Sequence, residues 1–197
     1  MIRLWWVRHA PVTSRGLAGR RDVPADLSDR AALERLARFL PAAPVFTSPL
    51  LRTRTTAAAI AGARPVLPPV AGLREFDFGA WEGLTPAEIS ARDPALSRRF
   101  WSDPASAAPP GGESWAEVVA RVDAALAERV LPALRRQGVG EAVLVSHFGV
   151  IATRIAQAGG LSARAALAHP IPHLSVTRID LAPDERGSRL VFAARCV

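Results

Sequence analysis

With 197 residues, 49% of them apolar and 22% charged, the chain has the length and composition of one globular domain with a sizeable core. No apolar run reaches the ~18 residues of a membrane span, and the lone Cys196 excludes an internal disulfide framework and a multi-cysteine metal site, so a cytoplasmic protein is expected. All 25 basic residues behind the formal charge of +7 are arginine, scattered without an aromatic-basic stripe, which favours a small anionic ligand over nucleic acid.

The chain opens on an apolar run over 2–7, broken only by Arg3, that reads as a buried strand. It ends at Arg8 and His9, just before Pro11 forbids its continuation. Residues 12–27, rich in Arg, Gly, Pro and Asp, read as a loop carrying Arg15, Arg20 and Arg21. Ser28 can cap a helix with Ala32, Leu33, Leu36, Phe39 and Leu40 on one face, closed by Pro41. A short strand over 44–49 and a helix over 51–61, stopped by Gly62, come next. A second short strand is expected over 66–70 among prolines, then an irregular aromatic segment over 73–83.

Thr85 with Glu88, and Ser114 with Glu117, form capping boxes that each open a helix. Between them, residues 102–112 hold three prolines and two glycines and read as a loop that could serve as a lid. The second helix carries Trp115, Val118, Val119, Val122 and Leu126 at helical spacing, with a kink or break expected at Pro132. A clean buried strand over 141–146 runs into His147, and a helix over 149–158 follows it. Strands over 174–181 and 189–194, separated by a turn over 183–187, close a single domain spanning 1–197.

Three strand ends carry related polar groups: Arg8 with His9, Ser48 with Arg52, and Ser146 with His147. In a sheet with helical crossovers such ends lie side by side, where open α/β sheets bind ligands. Two arginines and two histidines around one point suit a tetrahedral dianion, and a helix opening after His147 would add backbone donors. Ser48 and Thr56 are placed to orient Arg52 and the nearby backbone. A histidine facing a bound phosphoryl group can attack phosphorus while the arginines stabilise the oxygens in flight. The leaving alkoxide then needs a proton, for which Glu75, Asp77 and Glu82 compete. His169 and His173, in His-Pro-Ile-Pro-His, have no carboxylate or cysteine beside them and read as structural or rim residues, not a metal pair. Ser146-His147 lacks the Gly-x-Ser-x-Gly elbow of a serine nucleophile.

Taken in order, four segments resemble the histidine phosphatase, or phosphoglycerate-mutase-like, superfamily. They are Arg8-His9, Ser48-Pro-Leu-Leu-Arg52 with Thr56-Ala57, Leu73-Arg-Glu75 with Gly79-Ala-Trp81-Glu82-Gly83, and Ser146-His147-Phe-Gly149. The resemblance runs from the first strand to about residue 160 and includes Gly112-Glu113-Ser114 before the long helix. It implies an α/β fold, a three-layer α/β/α sandwich with a mostly parallel central sheet. It also implies His9 as nucleophile, Arg8, Arg52 and His147 as the phosphate pocket, His147 acting in catalysis as well, and Glu75 as proton donor with Glu82 its rival. No cofactor or metal is implied. Arg15, Arg20 and Arg21 become substrate-binding candidates, because the loop after His9 must border the site.

Within the superfamily, Arg8-His-Ala-Pro11, Gly19-Arg-Arg-Asp22 and the aromatic segment most resemble α-ribazole 5′-phosphate phosphatases of cobalamin assembly. The expected activity is a metal-independent phosphomonoesterase on a small phosphorylated metabolite, with α-ribazole 5′-phosphate first among substrates. Alternatives are a phosphoglycerate-mutase-type phosphotransferase, a broad sugar or nucleotide phosphatase, and a non-catalytic phospho-ligand binder. Either a monomer or a homodimer fits.

Overall fold

The apolar run at the start of the chain forms β1 (Ile2–Arg8), the middle strand of a five-stranded sheet. A computed structural model describes residues 1–182 and 187–197. Parallel to β1 on one side runs β3 (Glu141–Ser146), and beyond it β2 (Val45–Thr47), also parallel. On the other side β4 (Val176–Leu181) and β5 (Ser188–Arg195) extend the sheet antiparallel, giving the order β2-β3-β1-β4-β5. The expected sandwich is present, with the parallel pairing confined to the centre and one edge. Register matters for the site: Arg8 pairs with Ser146, so the two central strands finish level, and the His9 amide donates to the Ser146 carbonyl at 3.0 Å.

Period-two alternation divides the core between the two faces of this sheet. Leu4 and Trp6 of β1, with Ala142 and Leu144 of β3, face one side. There they pack under α5 (Trp115–Ala125), α6 (Leu131–Gln137) and α7 (Phe148–Gly159). Val7, Val143 and Val145 face the other side, under α1 (Arg30–Phe39) and α2 (Leu51–Ala61). A satellite core of Trp81, Ile89, Phe100 and Ala107 holds α3 (Pro86–Arg92) and α4 (Pro94–Ser102). The last helix, α8 (Ala163–Ala168), precedes β4. Among the described residues no helix is long and apolar enough to cross a membrane.

Both capping boxes form as expected, at Thr85–Glu88 and Ser114–Glu117. Helix α1, however, is capped by Asp29, whose carboxylate accepts the Ala32 amide at 2.9 Å, while Ser28 is held by Asp26. The expected strand over 66–70 reduces to one parallel bridge between Val66 and Val45, because Pro65, Pro68 and Pro69 have no N–H to give to a ladder. Helix α4 was not anticipated. Proline stands at its first turn, where a missing N–H costs nothing.

At Pro132 the helix continues by widening. Residues Leu126–Val130 form a π turn, which takes up the missing donor and the clash of the proline ring with the Glu128 carbonyl. Residues 102–112 are tied at their far end, where Pro110 accepts the Ala80 amide and Gly112 donates to Pro109. The turn expected over 183–187 falls largely outside the described residues. Strand β4 starts two residues later than expected because Leu174 takes φ +60°, a left-handed conformation that is strained for leucine.

Candidate active site

His9 follows the last residue of β1 and is only 4% exposed. Its Nδ1 lies 2.7 Å from the Ala10 carbonyl, which can only accept, so Nδ1 carries the proton and Nε2 keeps the lone pair. The Ala10 amide is in turn held by Thr56 Oγ1 at 3.0 Å, and Thr56 donates to the Arg52 carbonyl at 2.7 Å. Burial pushes the His9 pKa well below its ordinary value, the Ala10 hydrogen bond opposes, and Arg52, His173 and Arg8 press it down further. The ring is therefore neutral at pH 7, with its Nε2 lone pair free. It stands edge-on to the His147 ring at 5.2 Å and tilted against that of His173 at 5.1 Å.

Arg52, in the first turn of α2, is wholly buried, and its fork is spread over three acceptors. Nη2 donates to Gly19 O at 2.6 Å, Nη1 to Arg21 O at 2.8 Å, and Nε to His147 Nδ1 at 3.2 Å. An arginine has five N–H donors, so one on each terminal nitrogen is left over. Arg8 gives Nη1 to the Ile171 carbonyl and lays its guanidinium over Phe148 at 5.3 Å. Its Nε is buried with no partner. A buried donor left unmade costs about 1–3 kcal/mol, which an anion here would recover. Burial disfavours both guanidinium charges, and Glu75 nearby offsets it.

His147 is fully buried, and both ring nitrogens are engaged. Since Nδ1 accepts from Arg52, Nε2 donates to Ser48 Oγ at 2.8 Å, and Ser48 passes the chain to Thr53 Oγ1, also 2.8 Å away. Ser48 thus orients His147, not Arg52 as the sequence suggested. Desolvation holds the His147 pKa well below the ordinary imidazole value, reinforced by His9, Arg52, Arg121 and Arg8.

Glu75 is 7% exposed, and its Oε1 accepts the Phe76 amide and the Gly149 amide, both at 3.0 Å. The helix opening after His147 was expected to aim its donors at a phosphate. Instead the Gly149 amide in the first turn of α7 is given to Glu75. The rival carboxylates are occupied elsewhere. Glu82 Oε1 takes the Arg20 amide at 2.6 Å, and Asp77 pairs with Arg20 at 3.2 Å and accepts the Gly79 amide at 2.9 Å.

The three loop arginines divide. Arg15 is exposed and paired with Glu88 at 2.9 Å. Arg20 is engaged with Asp77 and Glu113. Arg21 is exposed and contributes its carbonyl to Arg52. Sequence reasoning gave His173 a structural or rim role, and its Nδ1 donates to the His9 carbonyl at 2.9 Å. The one available signal was its position two residues before Ser175, whose carbonyl accepts the Arg8 amide.

A neutral histidine with a fixed lone pair, two arginines with spare donors and a buried carboxylic side chain can bind a phosphate monoester and exchange its ester bond for a phosphorus–nitrogen bond. Residues 4–193 match the histidine phosphatase superfamily (branch 1). A glucosyl-3-phosphoglycerate phosphatase of Mycolicibacterium vanbaalenii is 34% identical over 171 residues, 81% of this chain and 75% of that protein. A bifunctional protein of Mycobacterium tuberculosis is 50% identical over 95 residues, 47% of this chain but 25% of its own, so the match spans about a quarter of that relative's length. The native structure of a mycobacterial glucosyl-3-phosphoglycerate phosphatase superposes with a TM-score of 0.83 at 28% identity, covering 100% of both chains. An α-ribazole phosphatase from Shigella flexneri superposes at 0.78 over 100% of this chain and 98% of its own, but at 21% identity it attests the fold alone. With the match running from β1 into β5 and the histidine–arginine cluster where the two central strands end, the chain belongs to the histidine phosphatase superfamily.

Proposed function

We propose that the protein is a phosphomonoesterase that passes the phosphoryl group of a small metabolite to His9 and then to water. One observation carries this reading: the Nδ1–H···O=C bond to Ala10 leaves Nε2 of a neutral, buried imidazole with a free lone pair to act as nucleophile.

In the first step Nε2 attacks phosphorus and the P–O bond to the alcohol breaks. Glu75 supplies the proton to the departing oxygen, its carboxyl aimed by the Phe76 and Gly149 amides. In the second step Glu75 takes a proton from water, the new hydroxide attacks phosphorus, and the N–P bond breaks to restore neutral His9. Arg8 and Arg52 stabilise the three equatorial oxygens throughout, supplying the positive charge that phosphoryl transfer demands.

For the substrate we place a phosphorylated sugar or sugar acid first, because the relative that aligns with 81% of this chain at 34% identity is named for glucosyl-3-phosphoglycerate. The exposed Arg21 guanidinium, next to the loop that holds Arg52, offers a contact for a substrate carboxylate. α-Ribazole 5′-phosphate comes second, on the resemblance of the segments around His9 and Glu75. A cytoplasmic location suits either.

The test is phosphate release, with a chelator present, from glucosyl-3-phosphoglycerate, α-ribazole 5′-phosphate, sugar phosphates, nucleotides and 3-phosphoglycerate. Preference for one ester by a hundredfold or more in kcat/KM would name the substrate. Slow, even release would keep the chemistry and reject both named substrates. Isomerised phosphoglycerate without phosphate release would replace hydrolysis by phosphotransfer, and no reaction at all would leave a phosphate-binding protein.

A further inference from the structure

Arg121, at mid-length on α5 and 18% exposed, spends all five of its N–H donors within one small region. Three go to backbone carbonyls on the approach to the candidate acid: Nη1 to Gly72 and Arg74, each at 2.8 Å, and Nη2 to Glu75 itself at 3.0 Å. The other two go to Glu113, Nε to Oε1 at 2.7 Å and Nη2 to Oε2 at 2.9 Å, a bidentate pair. Glu113 then reaches the far side of the acid, its Oε2 accepting the Asp77 amide at 3.0 Å while its own amide donates to Asp77 O at 2.8 Å. Glu75 is thus clasped on both flanks by one ion pair. Gly72 makes the approach possible, since a Cβ there would lie 2.8 Å from the Arg121 carbonyl and 2.6 Å from Ala125 Cβ. Arg20, from the loop after the nucleophile, completes the cluster by donating to Glu113 Oε1 at 2.8 Å.

We propose that the Glu113–Arg121 pair is a positioning device for Glu75, fixing the backbone from which its carboxyl reaches the leaving oxygen. The inference rests on the reading of Glu75 as the proton donor. A pair that only held the fold together would, when broken, depress every activity alike. A pair that aims an acid depresses turnover in proportion to the basicity of the leaving group, because a good leaving group needs no proton. The residues touch no substrate and act only through Glu75.

The experiment compares kcat/KM, which reports transfer to His9 and not the shared hydrolysis of the phosphoenzyme, for an alkyl phosphate and for p-nitrophenyl phosphate in Arg121→Gln, Glu113→Gln and Glu75→Gln, with circular dichroism to confirm folding. Arg121→Gln and Glu113→Gln should lose at least tenfold more on the alkyl ester than on the nitrophenyl ester. Adding Arg121→Gln to Glu75→Gln should cost no further selectivity. Arg121→Lys keeps the charge and the stem but not the fork, so it should fold if the glutamine variant does not and show the same selective loss in smaller measure. Equal losses on both esters in folded Arg121 variants, or full additivity in the double variant, would overturn the proposal alone. A Glu75→Gln enzyme with equal losses on both esters would overturn the acid reading and the proposal with it.

Discussion

Glu75 reaches the amide of Gly149 through a gap that exists only because residue 149 has no side chain. A Cβ built there would stand 2.6 Å from Glu75 Oε1 and 2.3 Å from the Phe76 ring. Alanine is ordinarily worth up to about 1 kcal/mol over glycine in a helix, but here the overpacking penalty of about 1–3 kcal/mol outweighs it. Gly149→Ala should therefore lower the melting temperature and cut turnover of an alkyl phosphate roughly ten- to a hundredfold as the carboxyl is pushed aside. Paired melting curves and initial rates would check this, and an alanine variant as stable and active as the parent would contradict it.

Removal of the nucleophile has a sharper signature. His9→Ala should abolish turnover by a factor on the order of 10⁴ or more, while phosphate still binds through Arg8 and Arg52. Enzyme mixed with substrate and quenched in alkali should show an acid-labile, base-stable phosphoryl group in the parent and none in the variant. Turnover retained in His9→Ala would sink the phosphohistidine route.

Arg52 tests geometry against charge. Lysine at this position keeps the cation but cannot hold Gly19, Arg21 and His147 Nδ1 together and still face an anion. Arg52→Lys should lose about 10²–10³ in kcat, and steady-state kinetics against the parent would show it. A near-normal lysine variant would mean that charge alone suffices.

Acid should weaken the fold in a definite window. His9 and His147 are both held below the ordinary imidazole value near 6.5, so between that value and their folded values the unfolded chain binds protons that the native one does not. The stability they contribute is complete above about pH 6.5 and declines as pH falls, at about 1.4 kcal/mol per pH unit for each histidine. Inorganic phosphate, an anion that would bind against both rings, should flatten the decline. Melting temperatures at pH 7.5, 6.5 and 5.5, with and without phosphate, would check this. Stability that rises on acidification would refute it.

What was legible in the sequence was local or was written at strand ends. The 85–88 and 114–117 capping boxes, the stop at Gly62 and the apolar run of β1 depend on neighbours a few residues away. His9, Arg52 and His147 could be grouped because parallel strands finish together. The rest depends on pairs far apart in the chain: Glu75 with Gly149 across 74 residues, Arg121 with Glu75 across 46, and His173 with His9 across 164. No periodicity announces such contacts. The sequence showed that a helix start after His147 supplies donors but not that the Gly149 amide goes to Glu75, because a phosphate and a buried carboxylate appeal to the same amide. The strand at 66–70 failed on a local rule: the prolines at 65, 68 and 69 interrupt its run of donors, leaving only Leu67 and Val70 to bond β2.

Those same prolines decide how this sheet can meet another chain. Segment 65–70 already satisfies β2, through Val45 N to Pro65 O, Leu67 N to Val45 O and Val70 N to Thr47 O. Pro65, Pro68 and Pro69 have no hydrogens with which to greet a newcomer. Among the described residues that margin therefore offers an added strand few donors, whereas β5, eight residues from Ser188 to Arg195, forms the other edge of the sheet. A strand added by backbone ladder would find its partners on β5 before it found them beside the prolines.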